Sequence, residues 1–381
     1  MKLKRPFFMR GFAGLLILAT LGAHGEGTGV WKTAYVKRGV VGNYDAGWAG
    51  GTGATLRVRV PIPFDGTQVR VRVRGAYKET VELSRMTLVR GADDQGRITG
   101  PQYPVLFGGQ AALRLTGDPQ VGMSDIVEVP VTRGTWYVQE SYASAKYPYA
   151  YEVDRAYFEP GDHFDQETLK KSAIVNVGIV TRIDVFTRDT RPTILCYGDS
   201  ITHGYGSTPN AGHRYPDVLG RLLDRPTLNL GMNSDLATRA GVAAAADIGG
   251  LKGVETVIFL MGINDIIMTG EFSKAKYAAA VPPFIAGCRE RHIKVYLGTI
   301  LPAGGVKAFD KDPGKEALRQ EINSWIRTAA KCDGVIDFDA ALADPENPTK
   351  LRADCQSDWI HPSDEGYRRM AEAAAKVIAG R

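Results

Sequence analysis

The feature that most constrains the fold of this chain is a change in its hydrophobic period near residue 192. From about residue 30 to 185, apolar and polar residues alternate, as in segments 55–60 and 69–73, which flank an Asp65-Gly66 turn. Because successive strand residues point to opposite faces, this period indicates short strands with one buried face. After residue 192, apolar strands alternate with helices, which is typical of a parallel sheet covered on both faces. The sequence therefore predicts an all-β, jelly-roll-like sandwich followed by a three-layer α/β/α domain.

The 381 residues suffice for about two domains of ordinary size. We place a leader at residues 1–25, the β-sandwich at 26–185 and the α/β/α domain at 186–381. Further strands of the sandwich are expected at residues 86–89, 111–115, 126–129 and 135–139. In the second domain we expect strands at 193–197, 227–230, 256–260, 294–297 and 334–337, and helices near 215–223, 273–291, 313–330 and 364–378.

Five arginines alternate with apolar residues in segments 55–60 and 69–74. Such a ladder is a candidate for binding polyanions, but it lacks the interleaved aromatic residues of single-strand nucleic-acid sites. We interpret it instead as the solvated outer face of an antiparallel sheet. The residues are Arg57, Arg59, Arg70, Arg72 and Arg74.

The first 25 residues have the three parts of a secretory signal peptide. A cationic stretch, residues 1–10, precedes an apolar run over residues 11–23, and small residues at Ala23 and Gly25 suit cleavage. A membrane anchor is the alternative, but the run is shorter than the roughly 20 residues that span a bilayer. The cationic stretch holds four positive charges, so the formal charge of +5 falls to +1 without it. We expect an exported, secreted or periplasmic protein without stable membrane association, and we expect no nucleic-acid partner.

Four cysteines are too few for a disulfide scaffold in a chain of this length. Cys196 lies in an apolar strand pattern, whereas Cys332 and Cys355 lie in polar surroundings and are candidates for a disulfide. No CxxC or Cys/His spacing indicates a zinc site. We predict no metal and no cofactor.

Small and polar residues follow the predicted strands of the second domain. The first strand leads into Ser200 among glycines, where a serine is well placed for nucleophilic attack or, alternatively, for capping a helix. The next two strands lead into residues 229–235 and 261–265. Near the end of the chain, Asp358 precedes His361 by three residues, a spacing that lets a carboxylate orient an imidazole.

With these blocks, the chain resembles the SGNH (GDSL) hydrolase superfamily of esterases and lipases. The matching text is GDSIT at 198–202, NLGMNSD at 229–235, GIND at 262–265 and DWIH at 358–361. More loosely, the whole chain is similar to secreted bacterial members that carry an N-terminal β-domain. The G-x-S-x-G elbow of α/β-hydrolases is excluded, because Thr202 stands where the second glycine would be.

The resemblance implies a role for each of these blocks. Ser200 would be the nucleophile, His361 the general base and Asp358 the residue that orients His361. The oxyanion would be held by the backbone N–H groups of Ser200 and Ser234 and by the Asn264 side chain. Ser234 stands where the family usually has glycine, and a positive φ there would carry a cost for serine.

Three other histidines are given no part in the reaction. His203 stands where many relatives have an acidic residue, and we expect it to be structural or to line the rim. His213 and His292 are interpreted as ordinary surface or helix-end histidines.

These expectations describe a secreted serine esterase that cleaves short-chain acyl esters through an acyl-enzyme. O-acetyl groups on carbohydrates are the leading substrate, by analogy alone. A lipid or aryl esterase of lysophospholipase or thioesterase type is one alternative, and a glycan-binding protein with an inactive hydrolase domain is another. The sequence leaves the oligomeric state and the role of the β-domain open.

Overall fold

The computed structural model describes residues 29–38, 42–45, 53–75, 80–93, 95–116, 120–143 and 146–380. The predicted leader at 1–25 therefore lies outside the described residues. Residues 29–187 are called the β region below. In the described part of this region, all the regular secondary structure is β-strand. These strands are β1 (Val30–Val36), β2 (Gly42–Asp45), β3 (Ala54–Ile62), β4 (Gly66–Arg74), β5 (Thr80–Gly91), β6 (Ile98–Val105), β7 (Leu113–Thr116), β8 (Val121–Met123), β9 (Val127–Val131), β10 (Gly134–Tyr142), β11 (Lys146–Pro160), β12 (Lys171–Val177) and β13 (Val180–Thr187).

The β region forms two antiparallel sheets, as the sequence predicts. One sheet has the order β1-β13-β4-β8, with β9 also paired to β4. The other has the order β12-β11-β3-β10-β5-β6, with β2 beside β11 and β7 beside β5. The strands that flank the Asp65-Gly66 turn, β3 and β4, belong to different sheets rather than to one hairpin. Their inward side chains, such as Leu56 and Val71, pack in the shared core between the sheets.

The interpretation of the arginine ladder as a solvated face is wrong for β3. Arg57 is fully buried, and its guanidinium donates to Gln139 Oε1 at 2.6 Å and to the carbonyls of Gly96, Gln166 and Glu167. Arg59 is nearly buried as well. The outer face of this sheet is covered because a small apolar cluster, including Tyr137 and Leu169, packs on it.

Residues 193–380, called the α/β domain below, confirm the predicted alternation of strands and helices. Five parallel strands lie in the order β15-β14-β16-β17-β18. The elements are β14 (Thr193–Gly198), α1 (Ser200–His203), α2 (Tyr215–Leu223), β15 (Thr227–Gly231), α3 (Ala237–Ile248), β16 (Val254–Leu260), α4 (Ile263–Met268), α5 (Lys274–Arg289), β17 (Lys294–Gly298), α6 (Lys307–Asp310), α7 (Pro313–Thr328), β18 (Gly334–Ile336), α8 (Phe338–Leu342) and α9 (Asp364–Ile378).

The sequence prediction missed one long helix, α3. Its sequence, ATRAGVAAAADI, is alanine-rich and has no clear polar face, so it gives a weak helical period. The other long helices match closely, because α2, α5, α7 and α9 begin and end within about two residues of their predicted limits. None of the helices within the described residues is both long and apolar enough to cross a bilayer.

The candidate disulfide between Cys332 and Cys355 is not formed. All four cysteines are free thiols. The Cys332 Sγ atom donates to the Gly334 carbonyl, and the Cys355 Sγ atom donates to Asp354, so each has a local partner. Burial raises the pKa of the Cys355 thiol to about 11, which keeps it protonated at neutral pH.

Candidate active site

Ser200 lies directly after a fully buried strand, at the carboxyl edge of the parallel sheet. Strand β14 ends at Gly198, where a Cβ atom would lie 2.0 Å from Thr202 Oγ1 and 2.6 Å from the Leu260 carbonyl. Asp199 caps the short helix α1 by accepting a hydrogen bond from the Ile201 N–H at 3.0 Å. Asp199 therefore takes the capping role that the sequence offered as an alternative for Ser200, and Ser200 is the first residue of the helix.

The structure brings Ser200, His361 and Asp358 into one chain of hydrogen bonds. Ser200 Oγ lies 2.8 Å from His361 Nε2, and His361 Nδ1 lies 2.8 Å from Asp358 Oδ2. The other carboxylate oxygen of Asp358 accepts the backbone N–H of His361 at 2.8 Å. The three-residue spacing thus lets the carboxylate fold back on the imidazole, as the sequence predicts.

The protonation of this chain follows from its contacts. Burial disfavours the charge of Asp358, but hydrogen bonds from the side chain and backbone of His361 keep its pKa below the usual value. An ionised Asp358 accepts the Nδ1 proton of a neutral His361, which leaves Nε2 as an acceptor for the Ser200 hydroxyl. The geometry therefore suits proton transfer from Ser200 to His361.

Ser234 follows β15 and Asn264 follows β16, the two strands that pair with β14 on either side. A tight turn closes where the Asp235 N–H donates to the Met232 carbonyl at 3.2 Å. Ser234 lies in this turn with φ +59°, the left-handed conformation that favours glycine. Asn264, in the first turn of α4, donates from Nδ2 to the Asp235 carbonyl at 3.0 Å. These two predicted oxyanion donors are therefore held together by Asp235.

Three buried carboxylates support the loops that carry these residues, namely Asp199, Asp235 and Asp265. Burial, with smaller contributions from the charges of the other two, raises the pKa of Asp199 to about 7. Burial also raises the pKa of Asp265, which caps α3 by accepting the N–H groups of Ala237 and Thr238. All three carboxylates lie within the motif blocks, but sequence reasoning assigned them no role.

Two other histidines that the sequence analysis names, His203 and His213, have side-chain partners of their own. His203 is buried, and its Nδ1 atom lies 2.9 Å from Asn233 Oδ1, next to the Ser234 turn. His213 Nδ1 lies 2.7 Å from Asp364 Oδ2, and His292 is an exposed residue with positive φ after α5. His203 thus fits the expected structural role. Among the described residues, no group of three or more His, Cys, Asp or Glu side chains is arranged to hold a metal ion.

Sequence reasoning missed two partly exposed aromatic residues, Tyr205, which contacts the His361 ring, and Trp359, which stands between Asp358 and His361 in sequence. The Tyr205 ring centroid lies 4.5 Å from that of His361. Trp359 is 37% exposed and has φ +69°, a strained conformation for a bulky residue. Strain of this kind concentrates at functional sites, and the position of Trp359 between Asp358 and His361 was the available sequence signal.

Residues 196–369 match the model of a protein family described as "GDSL-like Lipase/Acylhydrolase family". This range contains every residue of the site described above. Among proteins with curated descriptions, none is similar enough to the chain to count as a match.

Similar solved structures cover about half of this chain. One is a protein from Desulfitobacterium hafniense described as a lipolytic protein of the G-D-S-L family. It is 26% identical, with 49% of this chain and 99% of that chain covered, at a TM-score of 0.42. A GDSL-like lipase from Bacteroides thetaiotaomicron is 18% identical, with coverages of 49% and 88% and a TM-score of 0.42. An aryl esterase from M. smegmatis is 17% identical, with coverages of 50% and 99% and a TM-score of 0.40.

Proposed function

Residues 196–369 belong to the GDSL-like lipase/acylhydrolase family of the SGNH superfamily, and from this premise we propose a secreted serine esterase that uses Ser200, His361 and Asp358. The family indicates an ester hydrolase. The observation that carries the assignment of residues is the pair of 2.8 Å contacts from Ser200 Oγ to His361 Nε2 and from His361 Nδ1 to Asp358.

The first half of the reaction forms an acyl-enzyme. His361 Nε2 takes the Ser200 proton as Oγ attacks the ester carbonyl, and Asp358 stabilises the resulting imidazolium. The protonated His361 then donates that proton to the leaving alkoxide, which departs as the alcohol. In the second half, His361 Nε2 takes a proton from water, which attacks the acyl-Ser200 carbonyl; the bond from that carbon to Oγ then breaks, and His361 returns the proton to Ser200 Oγ as the carboxylic acid leaves.

The negative oxygen of each tetrahedral intermediate needs donors on the opposite side of the reacting carbon from His361. The Ser200 N–H is one of the first N–H groups of α1, which have no partner within the helix. The Asn264 amide has two N–H bonds, of which one goes to Asp235. With the Ser234 N–H, these groups form the proposed oxyanion hole.

We favour short acyl groups on a carbohydrate alcohol as the substrate. The partly exposed ring of Tyr205 beside His361 offers a flat apolar face with a polar edge, which suits a sugar ring at the leaving-group side. With the acyl group beside the proposed oxyanion donors, the hydroxymethyl group of Ser234 would take space that glycine would leave open. The cationic and apolar pattern of residues 1–23 supports export from the cytoplasm. An exported esterase would meet acylated polysaccharides outside the cytoplasm.

The test is acetate release from acetylated xylan, xyloglucan, pectin and chitin fragments, run beside p-nitrophenyl acetate, butyrate and octanoate. Ser200→Ala is the control, and we expect it to lower kcat by about 10⁴-fold or more while the thermal midpoint stays close to that of the wild type. Acetate release from one glycan, lost in Ser200→Ala, would support the carbohydrate proposal.

Two other outcomes would change the assignment. Octanoate turnover with no acetate release from any glycan would favour the lipid or aryl esterase. Wild-type protein that matches Ser200→Ala on every ester would contradict the esterase and favour the glycan-binding alternative.

A further inference from the structure

Arg38, which follows β1 in the β region, extends its side chain into the α/β domain. Its Nη1 atom donates to Asp235 Oδ2, and its Nε atom lies 2.9 Å from Asp247 Oδ2. The guanidinium also lies over the Tyr197 ring, 4.6 Å from the ring centroid. The Arg38 side chain is only 7% exposed, so these contacts are largely screened from water.

Asp235 connects Arg38 to two of the proposed oxyanion donors, Ser234 and Asn264. Its carboxylate binds Arg38, while its main-chain carbonyl accepts the Asn264 amide at 3.0 Å. Its N–H closes the turn in which Ser234 lies. Any displacement of Asp235 would therefore move the Ser234 N–H and loosen the Asn264 side chain together.

The charges explain why Asp235 needs a cation at this place. Asp235 is almost fully buried, and two further buried carboxylates, Asp199 and Asp265, lie near it. A buried carboxylate without a counter-charge is strongly destabilising, and a flexible turn can relieve it by moving towards water. Burial opposes the charge of Arg38, but Tyr197, Asp247 and Asp235 raise its pKa, so it remains a cation.

We infer that Arg38 is a positioning residue for the oxyanion hole and acts through Asp235. The inference rests on the proposed function, because it assigns a task to the β region in that reaction. The β region would then help to set the rate of the chemical step, in addition to covering one side of the α/β domain. The contact joins residues 197 positions apart in sequence, so no local pattern indicates it.

The chain offers a matched control in Lys32, a second buried cation of the β region, which lies in β1. Its Nζ atom lies 3.2 Å from Asp189 Oδ1 and donates to the Arg191 carbonyl at 2.6 Å. These partners lie in the connection between the two regions and touch none of the proposed catalytic groups. Loss of Lys32 should therefore weaken the contact between the regions without disturbing Asp235.

The experiment compares Arg38→Gln with Lys32→Gln in the full chain, on p-nitrophenyl acetate and with a boronic acid that mimics the tetrahedral intermediate. We expect Arg38→Gln to lower kcat by about 10- to 100-fold, less than the ~10²–10³ of a whole lost donor, and to leave KM nearly unchanged. Boronate affinity should fall by the same factor as kcat/KM. Lys32→Gln should lower the thermal midpoint and leave kcat and boronate affinity unchanged.

Asp235→Asn keeps the proposal testable if Arg38→Gln does not fold. It removes the buried charge but keeps the main-chain carbonyl, and it should lower kcat through the same loosened turn. The double variant Arg38→Gln/Asp235→Asn should be no slower than the slower single variant, because both changes break one contact.

An active wild type with kcat and boronate affinity unchanged in both Arg38→Gln and Asp235→Asn would overturn the inference. So would an equal loss of kcat in Lys32→Gln, because it would indicate general damage at the contact between the regions. Failure of the proposed function gives a different result, namely a wild type that is as inactive as Ser200→Ala.

Discussion

Both regions of the molecule bury polar side chains, but they use them differently. In the β region, Arg57 is fully buried and its donors are satisfied by Gln139 and by backbone carbonyls. In the α/β domain, Ser200 and His361 bind each other at the edge of the sheet, next to partly exposed Tyr205. Buried polarity therefore does not by itself mark a site. A reactive group also needs an acceptor for its proton and space for a substrate.

From this difference we expect that changes in the α/β loops lower turnover, whereas changes in the interior of the β region, away from Arg38, lower stability. The sharpest variant is Asn264→Ala, which should lower kcat by about 10²–10³ with little change in KM, because it removes one donor to the oxyanion. The control is Asn323→Ala, another buried amide, which bonds to the Ile300 carbonyl and nitrogen. Steady-state kinetics and thermal unfolding should show that Asn323→Ala loses stability and keeps kcat. Equal kcat in the two variants would remove Asn264 from the site.

Arg57→Met tests the other side of the comparison. The methionine fills part of the space but leaves the carbonyls of Gly96 and Gln166 without the Arg57 donor. We expect the free energy of unfolding to fall by about 2–4 kcal/mol, from the cost of unsatisfied buried groups. Chemical denaturation measures this loss, and kcat on p-nitrophenyl acetate should stay within about twofold of the wild type. A large loss of kcat in protein that is still folded would show that the interior of the β region, and not Arg38 alone, contributes to turnover.

Glu140 gives the β region a predicted dependence on pH. Burial raises the pKa of its carboxyl group from 4.5 to about 7, although Tyr142 and Lys37 favour the charged form. Because the folded state holds this proton more tightly, the stability that Glu140 contributes below about pH 4.5 is lost as the pH rises to about 7. At 1.36 kcal/mol per pH unit, the loss is about 3 kcal/mol.

Glu140→Gln should remove this dependence, because glutamine stays neutral. Relative to the wild type, the variant should gain about 3 kcal/mol of unfolding free energy between pH 4.5 and pH 8. Urea unfolding at the two pH values measures the difference directly. A constant difference between the two proteins would mean that Glu140 titrates normally.

Ser234→Gly should have the smallest effect. A left-handed conformation costs a side-chain residue about 1–2 kcal/mol, and glycine avoids that cost but loses more entropy on folding. We expect a net gain of about 0.5–1 kcal/mol in stability and a kcat within a few-fold of the wild type. A loss of stability would mean that the Ser234 side chain makes a contact that holds the turn.

Much of the fold and of the proposed site could be predicted because the signals are local. The alternation of strands and helices after residue 192 located the parallel sheet, and the three-residue spacing placed Asp358 beside His361. The environment of Arg57 could not be predicted, because alternation shows which face a residue occupies but not what covers that face. Arg38 was missed for a related reason, since its partner Asp235 is distant in sequence and no period links them.

The most direct test of the account is to trap the acyl-enzyme. The wild-type protein is mixed with p-nitrophenyl acetate, quenched in acid within one turnover and digested for mass spectrometry. The account predicts one acetyl group on the peptide that contains Ser200, and no acetylated peptide in Ser200→Ala. Ester hydrolysis by the wild type without this adduct, or an adduct on another residue that Ser200→Ala retains, would contradict the assignment of Ser200 as the nucleophile.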